Sequence, residues 1–165
     1  MKIEKIEVGY LKTNCYILKI DDECVIIDPG DEFPKIKKAV GDSKVVGVLV
    51  THFHQDHIYA LEEVLSYYDA ELNKVNSAKF KFETIETPGH TNDSRTFYFK
   101  KNNIMFTGDF IFNANIGRTD LGGSDKDMQQ SLEMIKSYPD DTIIYPGHGP
   151  ETILGKEKSL FSSYY

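Results

Sequence analysis

Within Thr51-His52-Phe53-His54-Gln55-Asp56-His57, four side chains able to ligate a metal fall within six residues. In an extended segment His52 and His54 project to one side while Phe53 points away, so two imidazoles can grip one cation. Asp56 and His57 follow as the chain turns towards a helix and face the same pocket from another angle, which suits a second cation. The chain has five histidines in all, and the other two, His90 and His148, also sit in patterned places. Nitrogen and oxygen donors without a thiolate fit zinc first, and iron or manganese next. The plainer reading is a histidine-rich surface loop; the spacing, with two further histidines and Asp109 at strand ends, speaks against it.

Four apolar segments each run into a turn that carries a donor. They are Val48-Leu49-Val50-Thr51 into His52, Thr84-Ile85-Glu86-Thr87-Pro88-Gly89 into His90, Ile104-Met105-Phe106-Thr107-Gly108 into Asp109, and Ile143-Ile144-Tyr145-Pro146-Gly147 into His148. Pro-Gly-His occurs twice, and a glycine there lets backbone approach closely. If these strand ends lie side by side, the seven donors converge on one rim, where catalytic groups tend to be carried by loops on a rigid sheet.

The elements that must position them follow from the pattern of apolar residues. Residues 3–8, 14–20 and 23–28 read as an antiparallel meander. Pro34 to Val40 reads as a short helix with proline in its first turn. A buried strand spans Val45 to Val50, and an amphipathic helix Ile58 to Tyr68. Strands are expected at 80–87, 96–100, 103–107 and 142–145, with helices near 126–137 and 151–161. Strands grouped in each half with helices around them make an α+β fold, two sheets face to face and covered outside.

The 165 residues fit one domain, 1–165, on a prior of ~100–200 residues per domain. A chain of this size can fold without a structural metal, which makes any metal a functional one. The net charge of −7 disfavours nucleic acid and anionic membrane as partners, since both select basic surface. No stretch approaches a membrane span. Met1 to Glu7 reads as a strand and not a signal peptide. Cys15 and Cys24 sit in apolar runs as small buried hydrophobes, in keeping with a reducing, cytoplasmic location.

His52-Phe53-His54-Gln55-Asp56-His57 resembles the HxHxDH signature of the metallo-β-lactamase superfamily, with His90, Asp109 and His148 at that superfamily's later ligand positions. One branch is closer. Thr13-Asn14-Cys15-Tyr16-Ile17-Leu18, Ile27-Asp28-Pro29-Gly30, Pro88-Gly89-His90-Thr91, Phe106-Thr107-Gly108-Asp109, Gly117-Arg118-Thr119-Asp120-Leu121 and Tyr145-Pro146-Gly147-His148-Gly149-Pro150 resemble the small glyoxalase II-like (hydroxyacylglutathione hydrolase-like) hydrolases. The resemblance spans nearly the whole chain and implies a four-layer αββα sandwich. It places His52, His54 and His90 on a first metal ion, Asp56, His57 and His148 on a second, and Asp109 between them. It implies a dinuclear zinc hydrolase cleaving a small acyl thioester through a metal-bound hydroxide that Asp56 orients, the bound water being acidified from 15.7 to roughly 7.

Rival readings on the same scaffold are a mononuclear iron persulfide dioxygenase, a lactone or phosphodiester hydrolase, and a binding module without turnover. Metallo-β-lactamases with a cysteine ligand would carry it where Asp109 stands. Diiron flavoproteins of the superfamily show Glu in place of His54 and need a flavodoxin domain. A glyoxalase II proper would carry a C-terminal helical domain that holds glutathione, whereas fewer than twenty residues follow His148.

The chain departs from the family in several places. Ile58-Tyr59-Ala60 replaces small glycines, so Tyr59 either projects at the pocket mouth or packs on a helix face. Only 32 residues separate His57 from His90, which points to a lost helix or strand. Asn92-Asp93 stands for Pro-Gly, and Tyr164-Tyr165 ends an aromatic tail that packs, meets a second subunit or frays. Arg118 either holds an anionic substrate or pairs with Asp120 to fix its loop. Asp28 either orients a ligand imidazole or caps a turn.

Overall fold

Alternating charged and apolar residues at the N-terminus form β1 (Lys2–Val8), which pairs antiparallel with β2 (Thr13–Ile20) in the computed structural model, where residues 1–165 are all described. The chain divides into two compact units, Met1–Lys81 and Phe82–Tyr165.

In the first unit β3 (Glu23–Ile27) continues the meander, and β4 (Lys44–Leu49) and the short β5 (Lys74–Val75) complete a sheet of order β1-β2-β3-β4-β5. β3 and β4 are parallel, which requires a crossover, supplied by α1 (Phe33–Val40). Its Phe33, Ile36, Ala39 and Val40 recur at helical spacing and pack on the sheet face that presents Cys15, Ile17, Cys24, Ile26, Val48 and Val50. Those strand residues alternate with period two, and the intervening Tyr16, Leu18, Val25, Ile27 and Leu49 are buried as well. Both faces are covered, which is why these strands read as continuous apolar runs.

The helix expected from Ile58 to Tyr68 is two pieces, α2 (Gln55–Ile58) and α3 (Leu61–Tyr68). The break has a hydrogen-bond cause: the backbone N–H groups of Tyr59 and Ala60 donate to the carbonyls of Gly30 and Pro29 at 3.0 and 3.1 Å, and so leave the helical ladder. Ala60, Leu61 and Val64 still reach the core.

The second unit holds a sheet of order β12-β11-β8-β7-β6, from β6 (Glu83–Glu86), β7 (Arg95–Phe99), β8 (Ile104–Gly108), β11 (Ile143–Pro146) and β12 (Thr152–Ile153). Here too one pair, β8 and β11, is parallel, joined across α4 (Asp125–Ile135). Ser124 caps α4 by accepting from the Asp127 N–H, and Met128, Leu132 and Ile135 form its buried stripe against Tyr98, Met105 and Ile144. At eleven residues or fewer these helices owe their stability to such burial more than to propensity.

The expected helix near 151–161 is instead β12, the short α5 (Leu154–Lys158) and a 3-10 turn at Phe161–Ser163. A hairpin of β9 (Ile111–Phe112) and β10 (Asn115–Ile116) adds to these elements, its two-residue strands too short to carry a periodicity in the sequence. Tyr164, in the aromatic tail, packs against the second core. No helix is long and apolar enough to cross a membrane.

Candidate metal centre

β3 and β4 run parallel, so the residues that follow them emerge at the same edge of the first sheet: Asp28 after β3, then Thr51 and His52 after β4. The two strands are tied there by the Asp28 N–H, which donates to the Leu49 carbonyl at 2.9 Å. Asp28 is 2% exposed, and its carboxylate organises the surroundings. It accepts from the Thr51 N–H at 2.8 Å, from the Thr51 hydroxyl at 2.7 Å and from Nδ1 of His57 at 2.8 Å. The Thr51 oxygen in turn lies 3.1 Å from Nδ1 of His52. One carboxylate thus orients two imidazoles, His57 directly and His52 through a hydroxyl. Of the two readings of Asp28, these hydrogen bonds carry the orienting one: its carboxylate reaches Thr51 and His57 and not its own turn.

With the proton on Nδ1, each ring keeps its lone pair on Nε2, the tautomer a metal ligand needs. The rings of His52 and His54 lie 4.9 Å apart and those of His52 and His57 4.2 Å apart. Asp56 Oδ2 stands 3.4 Å from His57 Nε2 and accepts from the Thr13 hydroxyl at 2.8 Å. Phe53 is 41% exposed while His52 is buried, so alternation along the segment works as expected. Gly30 is required by this arrangement: a Cβ there would overlap the Asp56 carbonyl oxygen.

The second unit gathers the remaining donors by the same device. β6, β8 and β11 point the same way, and their ends lead to His90, Asp109 and His148. The Gly147 N–H donates to the Gly108 carbonyl at 2.8 Å, fixing the two parallel strand ends beside one another. Asp109 Oδ2 then lies 3.5 Å from Nε2 of His90 and 3.5 Å from Nε2 of His148, between the two rings. His90 Nδ1 is 2.7 Å from the Arg118 carbonyl oxygen. A carbonyl can only accept, so this contact fixes the tautomer outright. Gly117 permits it, because a Cβ at that position would overlap the Asp109 carbonyl oxygen and crowd His90.

These donors border a cavity of about 510 Å³, also lined by Phe112, Ile116 and Arg118. The β9–β10 hairpin that forms part of its wall is braced from α5. Buried Glu157 accepts from the Ala114 N–H at 3.0 Å and from the Thr152 hydroxyl at 2.5 Å, and Lys156 Nζ donates to Asn113 at 2.8 Å. The Arg118 guanidinium makes two hydrogen bonds of 2.6 Å to Asp120, holding that carboxyl down to about 2. The loop-fixing reading of Arg118 is the one realised.

Of the expected site residues, His52, His54, Asp56 and His57 come together in the first unit, and His90, Asp109 and His148 in the second. The donor chemistry fits divalent cations: imidazole and carboxylate donors, with three histidines whose Nδ1 is engaged so that Nε2 carries the lone pair. Thr13 and Thr51 were not singled out from the sequence. Thr51 directly precedes His52 and Thr13 opens the Thr13-Asn14-Cys15-Tyr16-Ile17-Leu18 run, but nothing in residue type marks a hydroxyl as an orienting group. The Arg118 carbonyl leaves no trace in a sequence at all. Cys15 and Cys24 stay outside the site as free, fully buried thiols.

Comparison with known proteins agrees with this architecture. The family described as the metallo-beta-lactamase superfamily matches residues 8–84 and 74–148. The two matches meet within the short interval between His57 and His90. A probable metallo-hydrolase of Bacillus subtilis, YqgX, is 33% identical over 194 residues, covering 92% of this chain and 92% of the relative. That alignment is longer than the chain itself, so the relative carries residues that are missing here. A hydroxyacylglutathione hydrolase of Pectobacterium atrosepticum is 30% identical over 148 residues, covering 77% of this chain but 57% of that protein. Among solved structures, the BLEG-1 B3 metallo-beta-lactamase superposes with a TM-score of 0.89 at 28% identity, covering 96% of this chain and 97% of that one. TTHA1623, solved in a di-iron-bound form, gives a TM-score of 0.81 at 27% identity, covering 93% and 96%. Donors carried at the ends of parallel strands, the metallo-β-lactamase fold and the family match lead to one conclusion: the chain belongs to the metallo-β-lactamase superfamily and is a metallo-hydrolase of that family.

Proposed function

We propose that the seven donors serve two divalent cations, zinc first and iron next, and that the protein hydrolyses a small acyl thioester. The observation that carries the metal reading is the hydrogen bonding of Nδ1 in His52, His57 and His90, which leaves Nε2 as the ligand nitrogen in each. By the family pattern, His52, His54 and His90 would hold one ion and Asp56, His57 and His148 the other, with Asp109 available to either. Two such ions supply Lewis acidity towards a carbonyl and lower the pKa of water.

The chain's own residues do the rest. Asp56, steadied by Thr13, orients the attacking water and receives its proton. Asp28 and Thr51 keep His52 and His57 in register as charge shifts. Water adds to the acyl carbon, the carbon–sulfur bond breaks, and a carboxylic acid and a thiol leave. No serine or cysteine nucleophile is needed, and both cysteines are buried away from any such role. The thioester choice draws support from the 30% identical hydroxyacylglutathione hydrolase; glutathione itself is no part of the proposal. Free buried thiols are in keeping with work in a reducing cytoplasm on a small-molecule substrate.

The test is a hydrolysis screen of acyl thioesters, lactones, phosphodiesters and a β-lactam with metal-loaded protein, alongside oxygen uptake with a thiol persulfide. Thiol release from thioesters as the dominant activity is the expected result. Oxygen consumption with one iron per chain, or preferred turnover of another ester class, overturns it.

A further inference from the structure

The first unit carries a second cavity, of about 270 Å³, that joins Asp56 to three large exposed side chains. Tyr10 is 97% exposed, Leu11 59% and Tyr59 67%. Tyr10 and Leu11 occupy the β1–β2 turn, which is anchored where the Gly9 N–H donates to Glu32 Oε2 at 2.8 Å. Tyr59 caps α2, two residues after the donor His57, and its N–H donates to Gly30 at 3.0 Å. All three rings and chains are therefore presented from tethered backbone. Apolar groups held in water beside a site, and not packed against a helix face as one reading of Tyr59 would have it, mark a surface kept for a ligand.

Size and charge narrow the ligand. The cavity lies below the ~300–1,000 Å³ of a site for a whole drug-sized molecule, so it suits one substituent. The ionisable side chains lining the small cavity, besides the tyrosines, are Asp31 and Asp56, and no Lys or Arg is among them. With Asp56 given to a metal ion, the cavity's own charge is that of Asp31, so an anionic group finds no Lys or Arg to pair with in this wall, whereas an uncharged alkyl or aryl group gains by leaving water.

We propose that this cavity receives the acyl group of the substrate, and that Tyr59, with Tyr10 and Leu11, selects uncharged alkyl and aryl acyl groups over charged ones. This inference rests on the thioesterase reading above.

The test uses N-acetylcysteamine thioesters bearing acetyl, butyryl, hexanoyl, phenylacetyl and succinyl groups. With zinc-loaded protein, kcat/KM should rise roughly fourfold per methylene up to hexanoyl, as burial of apolar surface requires, with succinyl about tenfold or more below butyryl. Tyr59→Ala and, separately, Tyr10→Ala should flatten that series, while Tyr67→Ala, on α3 outside the cavity, should keep its slope. An independent readout is saturation-transfer NMR of the hexanoyl thioester on chelator-treated protein. The hexanoyl methyl should saturate more strongly than the acetyl methyl of the thiol half, and Tyr59→Ala should abolish the difference. Hydrolysis with a flat acyl series, or stronger saturation of the thiol half, overturns the inference. Acyl-selective saturation with no thioester hydrolysed would uphold the cavity and count against the reaction. No hydrolysis and no saturation would overturn both.

Discussion

Nδ1 of His90 lies 2.7 Å from the carbonyl oxygen of Arg118, so Arg118 serves the candidate metal centre through its backbone. Its guanidinium is committed to Asp120. The Gly117-Arg118-Thr119-Asp120 segment is thus a loop shaped to aim one carbonyl at one imidazole, with the ion pair and the glycine both serving that shape.

Arg118→Ala tests this division of labour. The carbonyl remains, and an exposed ion pair is largely screened by solvent, so zinc affinity should stay within a fewfold of wild type and the urea midpoint should barely move. Competition with a chromophoric chelator measures the first and urea denaturation the second. A loss of zinc affinity of tenfold or more would assign the guanidinium a part in the centre.

Asp28→Asn should behave differently. The amide offers one acceptor atom where the carboxylate serves Thr51 and His57 together, and it carries no charge to hold the Nδ1 protons. Loss of such an orienting partner costs about 10–100-fold in metal affinity. The same chelator competition reads it, and an affinity equal to wild type would contradict the orienting role.

Gly30→Ala and Gly117→Ala each push a methyl group into a backbone carbonyl, of Asp56 and Asp109 respectively. Overpacking of this kind costs about 1–3 kcal/mol. Both variants should show a lower Tm in thermal denaturation and weaker zinc binding, because the carbonyl that must move belongs to a donor residue. Unchanged Tm and zinc binding would show that the loops have more room than their geometry indicates.

Burial pushes the Cys24 thiol up to about 11 and holds Cys15 well above its ordinary range. The folded state therefore favours the protonated thiols. The stability this contributes is complete below the ordinary value near 9 and is lost as the pH rises through about 11. Iodoacetamide at pH 8 should label the native protein slowly and the urea-unfolded protein quickly. Equal rates would mean that the thiols are reachable in the folded chain.

Much of this was legible in the sequence, for reasons that particular residues make plain. Period-two burial at Cys15, Ile17, Cys24 and Ile26 and the stripe of Phe33, Ile36 and Val40 are written in residue type. The donors were legible because His52, His54, Asp56 and His57 cluster and because His90, Asp109 and His148 each close an apolar run. What escaped was carried by hydrogen bonds between groups far apart in the chain. The helix break at Tyr59 depends on two carbonyls in Pro29-Gly30, the His90 tautomer on the carbonyl of Arg118, and the Asp56 contact on which end of β2 carries Thr13. Hydrogen bonds between groups distant in the chain have no local signature.

The central claim, that seven donors on this chain hold two divalent ions for thioester hydrolysis, is met most directly by one titration. Metal-free protein is given zinc in steps, and thiol release from hexanoyl-N-acetylcysteamine is followed at each step. The account predicts that activity climbs to a plateau at two zinc per chain. A plateau at one zinc, or no thiol released at any ratio, would contradict it.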